Sequence, residues 1–384
     1  MATRPRGDGR GEKVVKRAWL TEAVRLAGVG ALCLCALAGL SCGRQRERAS
    51  PTSAEAGASP HLGRPCVTCD GRAVFCLRQG AMDRSVAPTK VLVWDAAEGC
   101  REVYSTTGRV AGYALADAER VTFILVERSS FSEIVAVTAD GRQEALPPGP
   151  ELAGWAHGEP PTAALAGWDR YGAYVCRRTG QGTWRWAATA PTRPRAMVWA
   201  GSGDIYIFQL NSDRRTTRVL RVGPGTLGLT FTTNVQAITW AAEPLGGPKS
   251  PKLVIGRAWE GTDGQAWAAL SILNAETGAV RDIATMPPGA PGLYSFSSSA
   301  DGSHIACIKE LTETSHQVVV LDVGSGRLTV LAQGGTFAGP FFVSDTRVGF
   351  FEETPSGAAL WSIGMDGSDR RQEWTTASPP GIKP

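Results

Sequence analysis

Two segments near the C-terminus repeat each other 44 residues apart. The first runs from Asp301-Gly302 through Ile305-Ala306-Cys307-Ile308 to Val318-Val319-Val320-Leu321-Asp322. The second runs from Asp345 through Val348-Gly349-Phe350-Phe351 to Leu360-Trp361-Ser362-Ile363-Gly364-Met365-Asp366-Gly367. Asp301 to Asp345 and Asp322 to Asp366 are both steps of 44 residues, so turn and strand repeat together. A period in this range, with paired apolar strands and turn residues between them, specifies a blade of a β-propeller.

Followed backward, the strand that ends in an acidic or amide residue recurs at Val91–Asp95, Ile134–Asp140 and Leu270–Asn274. Asp95 to Asp140 is 45 residues and Asn274 to Asp322 is 48, while the 134 residues between Asp140 and Asn274 divide into three such steps. Two degenerate copies are therefore expected there, at Thr183–Ala187 and Arg218–Val222. The fold class is all-β: a single propeller of four-stranded blades over residues 66–384, with seven blades and six as the alternative. The 46 glycines and 24 prolines suit a chain made of turns, and no stretch sustains a helical period. Trp155, Trp168, Trp199 and Trp240 are placed on inner strands, filling gaps between adjacent sheets. The first blade has no evident inner strand before Cys66, so closure of the ring by strands from both termini is expected.

The formal charge of +4 comes from the N-terminus. Residues 1–41 hold seven basic and three acidic groups, leaving 33 of each sign in the remainder, so the body has no electrostatic motive for binding nucleic acid. That basic segment precedes an apolar run from Leu26 to Leu40, the layout of a secretory signal, and at about 15 residues it is shorter than the roughly 20 that span a bilayer. Ala38-Gly39-Leu40-Ser41-Cys42 resembles a bacterial lipobox, which usually has Leu where Gly39 stands. The resemblance implies a signal sequence over 1–41, a lipid on Cys42 and a membrane-anchored protein in the bacterial periplasm or on the cell surface. Residues 42–65 are poor in large apolar side chains and read as a flexible tether.

Of the nine cysteines, Cys33 and Cys35 lie in the apolar run and Cys42 is the lipidation candidate. Cys66, Cys69, Cys76 and Cys100 are read as disulfide candidates that pin the first blade, with their connectivity open. Cys66-Val67-Thr68-Cys69 has a metal or redox spacing, but a zinc site wants a second pair and a redox motif a βαβ context; neither accompanies it. Cys176 and Cys307 sit inside apolar strands and read as buried thiols.

The stretch from Phe296 to Leu331 resembles the WD40-like repeat of TolB-type propellers. Ser299-Ala300-Asp301-Gly302 stands for that family's Ser-Pro-Asp-Gly turn, Ile305–Ile308 for its short strand and Val318–Asp322 for the strand before the next turn. Leu321–Gly326 and Leu273–Gly278 are also similar to turns of quinoprotein propellers, which are structural there, and the tryptophan of that motif is missing here. No catalytic or metal motif emerges. His61, His157, His304 and His316 are isolated in sequence, and Gly201-Ser202-Gly203 and Gly324-Ser325-Gly326 fall short of a nucleophile elbow. Propeller peptidases of the prolyl oligopeptidase type carry their triad on a separate domain, for which the chain ends too soon after its last blade. Loops around Pro147–Pro161 and Glu243–Lys252 are expected to shape one mouth of the ring. The expectation is therefore a monomeric, non-enzymatic propeller, without cofactor, that binds a protein or envelope component, as the TolB resemblance implies. The alternative is a lyase or glycan hydrolase with carboxylates at the channel mouth.

Overall fold

The computed structural model describes residues 61–62, 66–67, 71–78, 89–116, 121–127, 132–158, 160, 164–179, 183–200, 203–224, 229–247, 250–312, 314–354 and 357–376. Among them every regular element is a strand. The strands form seven antiparallel sheets, and within each the chain runs in order from the innermost strand to the outermost. The blades are blade 1 (61–106), blade 2 (109–145), blade 3 (154–190), blade 4 (196–235), blade 5 (238–286), blade 6 (293–333) and blade 7 (336–375). Seven is therefore the blade number. The signal sequence over 1–41, Cys42 and nearly all of the tether lie outside the described residues. At the tether's end, His61–Leu62 pair with Arg78 and Leu77 of blade 1.

The second strand of blade 4, Asp204–Leu210, shows why the middle of such a strand is apolar on both faces. Tyr206 and Phe208 pack with Ala242, Leu253 and Ile255 of blade 5, whereas Ile205 and Ile207 pack with Ala164, Ala166 and Val175 of blade 3. Both faces of the sheet are covered, so alternation gives way to a continuous hydrophobic run. Burying each such side chain contributes about 1.5–3 kcal/mol. The outer strand of the same blade, Leu229–Val235, has no such cover, and Phe231 is 57% exposed.

The third strands confirm most of the repeat. Thr89–Asp95, Ser132–Val137, Thr217–Val222, Ala266–Asn274, Ser315–Asp322 and Gly357–Gly364 hold that position in blades 1, 2, 4, 5, 6 and 7. Blade 3 differs. Its third strand is Ala173–Arg178, and the candidate Thr183–Ala187 falls in the fourth strand, Trp184–Ala190. The strand that occupies the third position ends in two arginines, and like Thr217–Val222 of blade 4 it lacks the acidic or amide residue found at or just after the end of the third strands of the other five blades. Trp155, Trp199 and Trp240 are on inner strands, but Trp168 ends the second strand of blade 3. There its ring lies over Gly154, where an added Cβ would come within 2.3 Å of it. Trp240 covers Gly256 in the same way, at 2.3 Å, so the indole needs a backbone with no side chain beneath it.

The ring closes without strand exchange among the described residues. Blade 1 takes its inner segments from Cys66–Val67 and His61–Leu62, and blade 7 takes all four strands from 336–375. The expectation of closure by both termini is corrected: the chain upstream of Ala73 already supplies an inner edge, and side-chain packing joins the two blades. Phe75 lies 4.9 Å from Phe351 and 5.0 Å from Trp374 between ring centroids, and Trp94 meets Phe341 at 5.7 Å. These residues form a core of the same kind as those between the other blades.

Candidate functional site

Antiparallel order fixes two faces. One, the turn face, carries the turns between first and second strands and between third and fourth. The other, the link face, carries the turns between second and third strands and the connections from blade to blade.

At the turn-face end of the inner strands, three blades meet. The inner strand of blade 3 continues past Trp155, and His157 pairs in parallel with Val198 of blade 4 through His157 N to Met197 O (3.0 Å) and Trp199 N to His157 O (2.7 Å). Its imidazole reaches on to blade 5, with Nδ1 2.6 Å from Oε1 of Glu243. A carboxylate only accepts, so Nδ1 carries the proton. The next residue, Gly158, has φ +82° and would press a Cβ against Trp199 O at 2.6 Å, so glycine alone lets the chain cross here. Of the two loops expected at one mouth, His157-Gly158 and Glu243-Pro244 do converge. Pro147 is instead on the link face, where it accepts a hydrogen bond from Trp186 Nε1 at 3.0 Å.

The neighbouring turn of blade 6 assembles serine, histidine and aspartates. Asp301 accepts from Ser299 Oγ at 2.6 Å, from Ser303 N at 2.9 Å and from Ser303 Oγ at 2.7 Å, and these bonds hold its carboxyl down to about 2. Ser303 Oγ also lies 2.7 Å from His304 Nδ1, and His304 Nε2 lies 3.6 Å from Asp322. The composition is that of a catalytic triad, but the proton direction is wrong. A hydroxyl has one proton, and the carboxylate of Asp301 takes it, so Ser303 accepts from His304 instead of donating to it. An oxygen bound in that way is a turn clasp, not an activated nucleophile. His316, buried between blades 6 and 7, is committed too. The amide of Phe337 donates to its Nδ1 at 3.2 Å, which places the proton of the neutral ring on Nε2.

The cysteines separate by position. Cys76 is paired with Val91 in the register, and Cys100 with Trp94, which puts them on strands two apart, about 9.6 Å at ordinary strand spacing. A disulfide spans less than about 7 Å between Cα atoms. No disulfide joins the described thiols of Cys76, Cys100, Cys176 and Cys307. The Cys66 and Cys69 side chains lie outside the described residues, so bridges involving them stand as proposals. Burial pushes the thiols of Cys100, Cys176 and Cys307 up to about 12. Among the described residues, no group of three or more His, Cys, Asp or Glu side chains is arranged to hold a metal ion. A cavity between blades 1 and 2, lined by Arg72, Asp95, Arg101 and Thr122, has a volume of about 10 Å³, room for one water.

Fold and faces define a seven-bladed β-propeller. Among solved structures, the propeller domain of the Trilobed protease from Pyrococcus furiosus, described as having an open velcro topology, matches with TM-score 0.61 and 10% identity over 84% of this chain and 100% of that one. A puromycin-hydrolyzing peptidase from Mycobacterium tuberculosis matches with TM-score 0.57 and 14% identity, over 83% of this chain and 54% of that one. TolB from Acinetobacter baumannii matches with TM-score 0.48 and 14% identity, over 78% of this chain and 62% of that one. The chain thus spans roughly half to three-fifths of the length of the last two. No family model matches, and no curated protein matches the sequence. At these identities the likeness is one of fold.

Proposed function

We propose that this chain is an extracytoplasmic propeller, anchored to a membrane through a lipid on Cys42, that binds a protein or cell-envelope partner through one face of its ring and performs no chemistry of its own. The observation that carries the reading is the commitment of its polar groups. The serine, histidine and aspartate side chains that resemble a reactive set are spent on closing turns, and His157 with Glu243 ties three inner strands together at the axis. What stays open to a ligand is loop surface, which suits recognition of another macromolecule better than turnover of a small molecule. The N-terminal apolar run ending in Ser41-Cys42 supports the anchor and the compartment.

Two measurements test this. Cys42→Ala is expected to move the protein from the membrane to the soluble fraction; unchanged association with an uncleaved N-terminus refutes the lipid anchor. Affinity capture of the mature protein from its own envelope, followed by mass spectrometry, is expected to recover a specific partner. Recovery of background proteins alone, together with turnover of peptide or glycan substrates that His157→Ala abolishes, overturns the binding reading in favour of an enzyme.

A further inference from the structure

The near-neutral body conceals an uneven distribution of charge. Residues 164–235, which span blades 3 and 4, contain ten arginines, no lysine and three aspartates. Six of those arginines, Arg170, Arg193, Arg195, Arg214, Arg215 and Arg218, are exposed on one side of the ring. All belong to the link face. Arg170 is in the turn between second and third strands of blade 3, Arg193 and Arg195 in the connection to blade 4, and Arg214, Arg215 and Arg218 in or beside the corresponding turn of blade 4.

These segments are in contact and held in place. Arg195 N donates to Phe208 O at 2.7 Å, Gln209 Nε2 donates to Thr192 O at 2.9 Å, and Arg218 donates to Gln209 Oε1 at 2.9 Å. Pro191 and Pro194 stiffen the connection further. The carboxylates at hand are used elsewhere. Asp169, itself buried, accepts the amides of Tyr171 and Gly172 at 2.6 and 2.9 Å. Asp213 accepts the Thr216 hydroxyl at 2.6 Å and the amides of Arg215 and Thr216 at 2.8 and 3.0 Å, bonds that lower its carboxyl below the usual range. Glu260 stands 3.8 Å from Arg215, a loose pair on an exposed surface. An independent sign comes from the backbone: Arg214 has φ 55°, a left-handed conformation that turns reserve for Gly or Asn. A long cationic residue kept in that strained conformation points to a use for its side chain.

We infer that the link face of blades 3 and 4 is a docking surface for an acidic segment of another protein. The inference rests on the binding role proposed above and names the chemistry of the partner. Guanidinium groups engage carboxylates in paired, planar hydrogen bonds, and arginines spread over two blades match an extended chain rather than a single small anion. A lipid surface fits less well, since among the exposed large hydrophobic side chains only Tyr171 projects from this part of the link face. A nucleic acid would want open aromatic platforms, and the Arg170 guanidinium covers Tyr171 at 4.7 Å from its ring centre.

The test uses the purified mature protein and three probes: fluorescein-labelled oligoglutamate, oligo-dT of equal charge, and phosphatidylglycerol vesicles. Oligoglutamate is expected to bind in low salt, to weaken as salt rises, and to lose about tenfold or more in affinity in the Arg193→Glu, Arg195→Glu, Arg214→Glu variant. Replacement of the same three by Gln gives a second variant without added repulsion, expected to shift in the same direction. Arg101→Glu with Arg142→Glu, on the turn face, is expected to leave binding unchanged. Equal loss in both sets, or no binding of oligoglutamate, overturns the inference. Preference for oligo-dT or vesicles also overturns it and reassigns the face to nucleic acid or membrane. A partner captured from the envelope that is retained by the link-face variant leaves the broader binding role standing while this surface assignment fails.

Discussion

Blades 6 and 3 are built to the same plan by different means. In blade 6 the turns are clasped by Asp301 and Asp322, each gathering hydroxyl and amide donors, and the inter-blade cores are filled by Ile305, Cys307, Val319 and Leu321. In blade 3 the first strand pairs over only Gly154–Trp155, the third strand ends in arginines, and tryptophans lie across glycines of their own or the preceding blade. Trp155 meets Gly112 and Trp168 meets Gly154, each within 2.3 Å of where a Cβ would stand. A blade can therefore keep its place in the ring through turn chemistry or through matched large and small residues. The arginines of blades 3 and 4 stand beside link-face turns that Asp169 and Asp213 clasp through backbone amides, so the two devices coexist there.

The comparison is set within a ring that, among the described residues, is closed by side-chain packing, so the largest effect is expected at the junction of blades 1 and 7. Phe75 is fully buried against Phe351 and Trp374. Phe75→Ala is expected to lower the unfolding free energy by about 3–5 kcal/mol, read from urea denaturation followed by tryptophan fluorescence. A loss under about 1 kcal/mol would show that the ring is held shut by something other than this core.

The matched-residue device can be broken directly. Gly256→Val places a branched side chain into the ring of Trp240, where even a Cβ comes within 2.3 Å. Overpacking of that kind costs about 1–3 kcal/mol, and pairing it with Trp240→Leu should recover part of the loss if the clash is the cause. If the double variant is no better than the single one, the glycine is needed for its backbone and not for the indole.

The same contrast explains what was legible in the sequence. The steps of 44 residues from Asp301 to Asp345 and from Asp322 to Asp366 set the blade length, because an acidic residue at a turn leaves a mark at a fixed position. Counting back from those marks reached seven blades and placed six of the seven third strands. Blade 3 escaped because its mark is a pair of contacts between Trp and Gly that are distant in sequence, and Trp184-Arg185-Trp186 looks as strand-like as Ala173–Arg178. The site was less legible still. His157 and Glu243 lie 86 positions apart in sequence and meet because the inner strand of blade 3 runs on to pair with the inner strand of blade 4 at Val198. The arginine cluster was hidden by a whole-body charge count, which cancels it against the acidic turns of other blades.

The turn device is expected to show a smaller effect. Asp301→Asn removes a carboxylate that accepts from Ser299 and Ser303 on an exposed turn, and the expected loss at neutral pH is about 1 kcal/mol. The carboxyl lies at about 2 in the folded protein against an ordinary 3.8, so its contribution is complete above pH 3.8 and disappears as pH falls through about 2. Acid titration of stability should therefore bring the wild type and Asp301→Asn together at low pH and separate them as pH rises. Curves that stay parallel would mean that the asparagine acts through the fold of the turn and not through its charge.

The finest comparison between the two blades is chemical. Cys176 of blade 3 and Cys307 of blade 6 are both fully buried, and burial pushes both thiols up to about 12, far from the reactive thiolate at neutral pH. Modification by a thiol reagent then requires local opening, and its rate reports how tightly each blade is shut. If large and small residues seal blade 3 as well as turn clasps seal blade 6, the two cysteines react at rates within about tenfold of each other in native protein, a difference of about 1.4 kcal/mol in opening free energy. A much faster reaction at Cys176, located by peptide mapping, would show that the freedom of sequence in blade 3 is bought with a looser blade. The arginine face would then sit on a mobile support, and its loops would have to be ordered by the partner rather than presented ready-made.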